Sequence, residues 1–526
     1  MTQRHTEVFM LKKYLSDLKK EFSGYNAKTF LADLMAGVTV AAVALPLALA
    51  FGVSSGASAA SGLLTAIVAG VVISLFGGAF YQISGPTGAM AAILTSIVMT
   101  YGMGGVFVAT VMAGVILVLC GVFKIGKLTA FIPMPVITGF TSGIAVTIAL
   151  GQIDNLLGVT SHGANVTEKL ASYFKGGFSP NLTAALIGLC VILFMVFYPK
   201  KWNAVVPSSL VSIILATAAS VILSLPVNTV GEIPKTIFLD TRLSLGDFTF
   251  DNVTRLLSPA FSIAALGMVE SLLCGASAGR MTGEKLDADR ELVAQGIGNI
   301  AAPFFGGIPA TAAIARTSVA IKSGAKTRLS GILHALFILA SMLLLGPIMA
   351  KVPLCALAGV LMVTAWRMNE WDAIKYFFSH GFKSGITQFA VTMIATIVFD
   401  LTVAIIIGVI IALLITVVKL SKLDIEIEED GEEESNVHIK GAMIFSDTEE
   451  VDELIPALSK KKKVTLILSG VLILDVSGAK ELLELCERLC GHGVEIKIEG
   501  ESESVKRMLD RSGVTAFLAE HTSDNG

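Results

Sequence analysis

Two short Gly/Pro turns interrupt apolar stretches of this 526-residue sequence and are the first places where it could bind an ion. One turn is 83–88, around Pro86, and the other is 306–311, around Pro309, which lies 223 positions further on. Pro and Gly prevent regular helix there, and irregular backbone at membrane depth is tolerated only where it is buried or lines a cavity. Matching interruptions in two halves of a membrane chain indicate a binding site. Two kinked helices that only pack are the alternative.

The helices after these turns are expected to begin at Thr87 and Ala310. Each N-terminus carries unpaired backbone N–H groups and a partial positive charge of about half a unit. Together the two ends would form a cradle for an anion. Gly85 and Thr311 belong to the same turns and are expected to contact that anion. Phe51 is expected to line the pocket opposite them, although a single membrane Phe is more commonly a packing residue.

Two charged residues lie in apolar segments of the chain. Arg316 is six residues beyond Ala310, and an intramembrane Arg normally faces a cavity or a partner. It is expected to add positive potential beneath a bound anion, or else to reach the cytoplasmic surface. Glu270 is the only carboxylate in 262–271, where it could exchange a proton or hold Na⁺ and so offset the charge of an anion. A structural salt bridge between Glu270 and Arg316 is the alternative.

Composition separates a membrane part from a soluble tail. Hydrophobic residues make up 54% of the chain and charged residues 15%, against roughly 25% charged in soluble domains. Residues 31–120 carry one Asp, Glu, Lys or Arg, which is Asp33, whereas 419–526 is densely charged. The first apolar run begins near Leu31 and is long enough to span a membrane, so we expect no cleavable signal peptide.

Cysteine spacing and motif content disfavour several function classes. The six cysteines show no CxxC or Cys/His cluster, and Cys486 and Cys490, one helical turn apart, are expected to be reduced core residues and not metal ligands. The membrane part has no Ser/His/Asp or metal-ligand spacing, and no GxxxxGK[ST] pattern supports ATP-driven transport. We therefore expect no enzymatic activity, no cofactor, no metal and no nucleic-acid partner.

About fourteen apolar segments between residues 31 and 420, among them 86–101 and 104–123, predict a polytopic α-helical membrane protein. The Lys/Arg distribution places both termini on the cytoplasmic side of the cell inner membrane. The offset that superimposes Pro86 on Pro309 divides the segments into seven plus seven. Because seven is odd, the second half must be inverted relative to the first.

The tail alternates in another way. Strands are predicted at 464–469 and 494–498 and amphipathic helices at 478–491 and 501–512, which together predict a small α/β domain with a mixed or parallel sheet. The acidic run 426–434 is interpreted as a solvated linker. The expected domains are a cytoplasmic N-terminal segment 1–30, a membrane domain 31–420, an acidic linker 421–435 and a tail domain 436–526.

The chain resembles the SulP family of anion transporters, the sulfate permeases, over nearly its whole length. The stretches that carry the resemblance are 37–46, 83–87, 281–284, 291–299 and 307–317. The tail resembles a STAS domain, with 473–478 as its signature turn. Ser477 stands where related regulators accept phosphate, although a Ser at that place is more commonly a helix N-cap.

The resemblance implies a fourteen-segment inverted repeat, a core domain that moves against a gate domain like an elevator, and a homodimer. It assigns an anion site lined by Phe51, Thr87, Gly88, Ala315 and Arg316. It links Glu270 to cation coupling, and it implies a cytoplasmic regulator as a partner of the STAS domain.

Two departures from the family pattern bear on the coupling ion. In Na⁺-coupled bicarbonate members, two Thr side chains help to hold Na⁺, and here Cys274 and Ile314 occupy those positions. H⁺ is therefore favoured over Na⁺. Gly279 replaces an Asp that the family usually carries, and no consequence follows from the sequence.

The function expected from these observations is secondary active uptake of an anion, with sulfate as the substrate and H⁺ symport as the coupling. Bicarbonate and C4-dicarboxylates are alternative substrates. An uncoupled anion channel or exchanger, a membrane sensor with the STAS domain as its effector, and a nucleobase transporter are alternative functions. Arg316 and the anion cradle count against the nucleobase.

Overall fold

The computed structural model describes residues 14–79, 81–126, 133–161, 171–173, 178–203, 206–399, 401–420, 423–430, 433–443 and 454–522. The chain divides into two compact units, Met1–Val409 and Ile410–Gly526. The first is built from helices with one short strand pair, and the second contains a four-stranded sheet.

The first unit is mainly helical, with longer connections before Leu182 and before Phe250. They are α1 (Ala27–Ser54), α2 (Ala59–Phe76), α3 (Gly88–Val122), α4 (Met134–Gly151), α5 (Ile153–Leu157), α6 (Leu182–Phe197), α7 (Lys200–Asn203), α8 (Ser208–Ile222), α9 (Phe250–Arg255), α10 (Leu257–Thr282), α11 (Ala288–Ala301), α12 (Ile314–Lys322), α13 (Leu329–Met349), α14 (Leu354–Met368), α15 (Trp371–Ser379) and α16 (Lys383–Val398). The helix α17 (Leu401–Leu420) contains the boundary between the units. Two strands, β1 (Ser84–Gly85) and β2 (Thr311–Ala312), lie between helices.

Six described helices are long and apolar enough to cross a membrane, which makes this a multi-pass membrane protein. They are Ala27–Ser54, Ala59–Phe76, Gly88–Val122, Met134–Leu157, Leu257–Thr282 and Leu329–Met349. The helix α3 has 35 residues and is interrupted at Gly102, where φ is 68°. The break lies between the two expected segments 86–101 and 104–123. A straight helix of 35 residues would be longer than the roughly 30 Å of a bilayer core, so an interruption is expected in this stretch.

Small residues let the helices around the Gly/Pro turns approach closely. A Cβ atom on Gly62 of α2 would lie 2.0 Å from the carbonyl oxygen of Ala48 on α1, so only glycine fits there. The helix α11 packs on α2 and α3, and α13 packs on α1 and α2. The strand β1 packs on α2, the strand β2 packs on α10, and side chains of α11 bond to Ser84 and Ala310.

The second unit is a small α/β domain. Its strands are β3 (Asp424–Asp430), β4 (Glu434–Met443), β5 (Lys463–Leu474) and β6 (Glu495–Glu499), and its helices are α18 (Ile455–Leu458), α19 (Val476–Gly491), α20 (Glu503–Ser512) and α21 (Val514–Thr522). The sheet order is β3-β4-β5-β6, with β3 antiparallel to β4 and the other pairs parallel. Leucines of β5 and α19, such as Leu466 and Leu485, form the core. The expected mixed sheet is present.

The acidic segment 421–435, which was interpreted as a solvated linker, contains a strand. Residues Asp424–Asp430 form β3, which pairs with β4 along its whole length. Within the acidic run, Ile425 and Ile427 alternate with acidic residues. In a strand this alternation places the two Ile side chains on one face and the acidic side chains on the other, as an edge strand with one exposed face requires. Lys440 on β4 also donates to Glu426 across the pair, at 2.7 Å. The strand pairing therefore begins before residue 436.

Candidate substrate site

The two Gly/Pro turns meet directly. Strands β1 and β2 are antiparallel, with Ser84 opposite Ala312 and Gly85 opposite Thr311. The backbone N–H of Ala313 extends the pairing by donating to the carbonyl of Ile83 at 2.9 Å. Two segments more than 220 residues apart in the chain therefore form one small element inside the helical unit.

The pairing moves one expected helix start. The helix α3 begins at Gly88 with Thr87 as its N-cap, close to the prediction. The helix α12 begins at Ile314 and not at Ala310, because β2 keeps the intervening backbone extended. The first-turn N–H groups of α12, which have no intrahelical partner, belong to Ile314, Ala315 and Arg316.

The backbone of Ala310 is already bonded. Its N–H donates to Oδ1 of Asn299 at 2.8 Å, and its carbonyl accepts from Nδ2 of the same side chain at 2.9 Å. Ala310 is fully buried. It therefore supports the second turn and offers no N–H group to an anion, whereas Ala315 is exposed at the start of α12.

The carboxylate of Glu270, near the middle of α10, lies at the paired strands. Its Oε2 accepts from Oγ1 of Thr87 at 2.9 Å and from Oγ1 of Thr311 at 2.5 Å. The two hydroxyl oxygens are 3.2 Å apart. One carboxylate thus bonds to side chains from both turns, and three predicted site residues come together.

Arg316 is buried behind the first turn. Its side chain is one of the largest fully buried side chains among the described residues. The exposed fraction of Arg316 is 1%, so the side chain does not reach the surface. Nη2 donates to the carbonyl of Pro86 at 2.9 Å, while Nη1 has no hydrogen-bond partner in the part of the chain that the structure describes. A Cβ on Gly85 would lie 2.8 Å from that Nη1. Among the described ion pairs, none joins Arg316 to Glu270.

Phe51 lies beside the N-terminus of α3, and its role in lining the pocket stays a prediction. A Cβ on Gly88 would be 3.0 Å from Cε1 of Phe51 and 2.3 Å from Cδ1 of Ile148. Gly88 is therefore required where two apolar side chains close over the start of the helix. Ile148 on α4 was not predicted, since an Ile in an apolar helix carries no sequence signal.

Cys274 and Ile314 occupy the positions where the Na⁺-coupled family pattern has Thr, and in the described hydrogen bonds neither side chain has Glu270 as its partner. Cys274 is buried, and its Sγ donates to Oγ1 of Thr317 at 3.2 Å. Ile314 is exposed. The hydroxyl groups at Glu270 come from Thr87 and Thr311 instead. Among the described residues, no group of three His, Cys, Asp or Glu side chains could hold a metal ion.

Comparisons of the chain with known proteins agree on its family. Residues 30–394 match the sulfate permease family, and residues 424–525 match the STAS domain. The chain is 35% identical over 519 residues to "Putative sulfate transporter YvdB" of Bacillus subtilis, covering 94% of this chain and 96% of the relative. It is 31% identical over 524 residues to bicarbonate transporter BicA of Synechocystis, covering 93% and 91%.

Two solved structures are similar. The transmembrane domain of a cyanobacterial BicA superimposes with a TM-score of 0.66 at 29% identity, over 74% of this chain and 98% of that one. Murine Solute Carrier 26 family member A9, in the inward-facing state, superimposes with a TM-score of 0.82 at 18% identity, over 95% and 90%. The second likeness concerns the fold alone.

Proposed function

The chain belongs to the sulfate permease family, and we propose that it takes up sulfate by symport with H⁺. The observation that carries the proposal is Arg316, a buried cation with an unbonded Nη1 beside the paired turns. A buried charge without a full set of partners is costly, and an anion between the two helix N-termini would provide the missing acceptor. The first-turn N–H groups of α3 and α12 add donors and positive potential.

Glu270 is the proposed coupling residue. As a carboxylate it accepts from both Thr87 and Thr311. When the proton binds Oε2, this atom becomes a donor, and at least one of the two hydroxyls turns to accept from it. Because each hydroxyl belongs to one of the two turns, protonation at Oε2 changes the contact between α10 and at least one turn.

The proposed transport cycle follows the architecture that the resemblance implies. Fourteen crossings form a seven-plus-seven inverted repeat, a core that contains the paired turns moves against a gate, and two copies form a homodimer. The antiparallel pairing of β1 with β2 supports the inversion, since the two chain segments enter the site from opposite directions. Both termini then lie on the cytoplasmic side of the inner membrane, where a regulator would bind the STAS domain.

Bicarbonate is the second candidate substrate, coupled either to H⁺ or to Na⁺. One observation supports bicarbonate as the substrate, and another supports Na⁺ as the coupling ion. The first is the similarity to bicarbonate transporter BicA. The second is the close set of oxygens from Glu270, Thr87 and Thr311, because oxygen ligands suit a hard cation. A C4-dicarboxylate remains the third substrate, and uncoupled exchange is the alternative mechanism.

The test is uptake by the full-length protein in proteoliposomes. Labelled sulfate, bicarbonate, fumarate and uracil are supplied in turn, under an imposed pH gradient and then an imposed Na⁺ gradient. We expect sulfate to accumulate with the pH gradient and uracil to be excluded. Glu270→Gln should abolish gradient-driven accumulation. The matched control is Glu370→Gln, since Glu370 also accepts from a Thr hydroxyl, that of Thr138 at 2.9 Å, away from the turns.

The possible outcomes separate the mechanisms. Uptake that follows the Na⁺ gradient would replace H⁺ by Na⁺, and uptake that survives in Glu270→Gln without accumulation would indicate uncoupled exchange. If none of the three anions moves, the uptake function is wrong. Retained uptake after deletion of 424–526 would argue against a sensor whose effector is the STAS domain.

A further inference from the structure

A stripe of three polar residues runs along α11, a helix that packs on α2 and α3. Glu291, Gln295 and Asn299 are spaced by four residues, so they lie on one face of the helix. Their exposures are 0%, 0% and 1%. Buried polar groups are costly unless they are hydrogen-bonded, so the partners of this stripe show what it does.

The first half of the stripe holds the segment that leads into the first turn. Nε2 of Gln295 donates to Oγ of Ser84 at 3.0 Å and to Oε1 of Glu291 at 2.9 Å. The other carboxylate oxygen of Glu291 accepts from the backbone N–H groups of Gly78 and Ala79, at 2.9 and 3.2 Å. Gln295 therefore bonds to the side chain of a β1 residue, and Glu291 bonds to the backbone of the segment that precedes β1.

The second half of the stripe holds the other turn. Asn299 bonds to both the N–H and the carbonyl of Ala310, the residue before β2. From the opposite side, Oγ1 of Thr65 on α2 accepts from the N–H of Ile308 at 2.7 Å and donates to its carbonyl at 3.0 Å. The backbone on either side of Pro309 is thus bonded to two different helices.

Close packing of α11 on its neighbours involves glycines outside this stripe. A Cβ on Gly296 would lie 2.5 Å from the carbonyl oxygen of Gly114, and one on Gly298 would lie 2.4 Å from a side-chain carbon of Ile73. Gln295 and Asn299 are one helical turn apart on α11 and reach the two turns. One helix therefore bonds to β1 and to the residue before β2.

We propose that Gln295 and Asn299 are positioning residues that hold both turns in the geometry that binds the anion. Neither touches Glu270 or Arg316 in the described hydrogen bonds. They act through Ser84 and Ala310, which place Thr87, Thr311 and the start of α12. The proposal rests on the proposed anion transport for its effect on affinity, but the fixing of the turns is a property of the protein alone.

The experiment uses the full chain with Gln295→Met and Asn299→Leu, which keep approximate size and remove the polar groups. Gln388→Met is the matched control, because Gln388 is a buried glutamine on α16, a helix that packs on α4 and not on β1 or β2. Two kinds of measurement are made. One is the KM and Vmax of sulfate uptake, and the other is hydrogen–deuterium exchange of peptides spanning 81–90 and 306–313 in detergent.

We expect each variant to raise the KM by about tenfold, which corresponds to about 1.4 kcal/mol, with a smaller change in Vmax. Exchange should rise in 81–90 for Gln295→Met and in 306–313 for Asn299→Leu. Ser84→Ala should reproduce the KM effect of Gln295→Met. The double variant Ser84→Ala/Gln295→Met should raise the KM little further, because both substitutions remove the same hydrogen bond between residues 84 and 295. The control should leave KM and both exchange rates unchanged.

A lower Vmax with an unchanged KM, or faster exchange throughout the protein, would overturn the proposal, since both indicate a loss of folded protein only. If the wild-type protein transports no anion, the proposed function fails, and the local exchange result still decides whether the stripe fixes the turns. Equal exchange in the wild type and both variants rejects the positioning role in that case.

Discussion

The hydroxyl of Thr311 lies 2.5 Å from the carboxylate of Glu270, which joins the second Gly/Pro turn to the middle of α10. Thr311→Val keeps the shape of the side chain and removes the donor. We expect the ionised form of Glu270 to lose a hydrogen bond worth about 1.5–3 kcal/mol, so that pH-driven accumulation of sulfate falls by about tenfold. Uptake under a series of imposed pH gradients measures this effect.

Thr311→Ser is the control for that prediction, because it retains the hydroxyl. We expect accumulation close to that of the wild type. If Thr311→Val and Thr311→Ser reduce accumulation equally, the effect comes from packing around a fully buried residue, and the hydrogen bond to Glu270 has no part in coupling.

Gly85 leaves the space that Arg316 occupies. A Cβ at residue 85 would lie 2.8 Å from Nη1 of Arg316 and 3.3 Å from Cα of Ala66. Gly85→Ala must therefore displace the guanidinium, and we expect the KM for sulfate to rise at least tenfold. Gly104→Ala is the matched control, since its nearest neighbour would be 3.6 Å away. Equal KM values in the two variants would show that the position of Arg316 does not matter for binding.

Much of this architecture follows from the sequence because membrane length and backbone geometry impose strong constraints. The expected segments 86–101 and 104–123 correspond to the two parts of α3, which Gly102 separates. Pro86 and Pro309 mark the irregular backbone, because proline lacks the N–H group that a regular helix needs and therefore interrupts it. The hydrogen bonds of Glu270 to both turns were not predicted, because the sequence linked this carboxylate only to cation coupling or to a salt bridge with Arg316.

What the sequence could not show are contacts between distant segments. The start of α12 depends on the pairing of Thr311 with Gly85, which no local signal around Ala310 carries. The role of Asn299 could have been suspected from its spacing with Gln295 in an apolar helix, but its partner could not. Similarly, the strand β3 is stabilised by β4, whereas its own composition resembles a linker.

The two cysteines of the STAS domain should react at different rates. Burial raises the pKa of Cys486 to about 12, with smaller contributions from Cys490 and Glu487, while burial raises the pKa of the half-buried Cys490 less. Only the thiolate reacts, and a pKa of about 12 leaves on the order of 10⁻⁴ thiolate at pH 8. We expect maleimide to label Cys490 first, with a rate that increases with pH. Mass spectrometry of timed digests measures it, and equal labelling would contradict the buried position of Cys486.

Asp33 connects α1 to the turn between α12 and α13. It is fully buried, and it accepts from the N–H groups of Lys326 and Thr327 at 2.6 and 3.0 Å, from Oγ1 of Thr327 at 2.7 Å and from the hydroxyl of Tyr25 at 3.1 Å. Hydropathy alone predicts that Leu at this place improves a membrane helix. The contacts predict the opposite, because Leu leaves two backbone donors without an acceptor.

We expect Asp33→Leu to destabilise the protein by about 3–5 kcal/mol, since each buried group left unpaired costs about 1–3 kcal/mol. Asp33→Asn should cost less, because the hydroxyls of Tyr25 and Thr327 can turn and accept from the amide. Thermal unfolding of the purified protein in detergent measures both. Asp372→Asn, at an exposed position of α15, is the control and should shift the unfolding temperature very little. An Asp33→Leu variant as stable as the wild type would mean that the connection between α1 and this turn does not contribute to the fold.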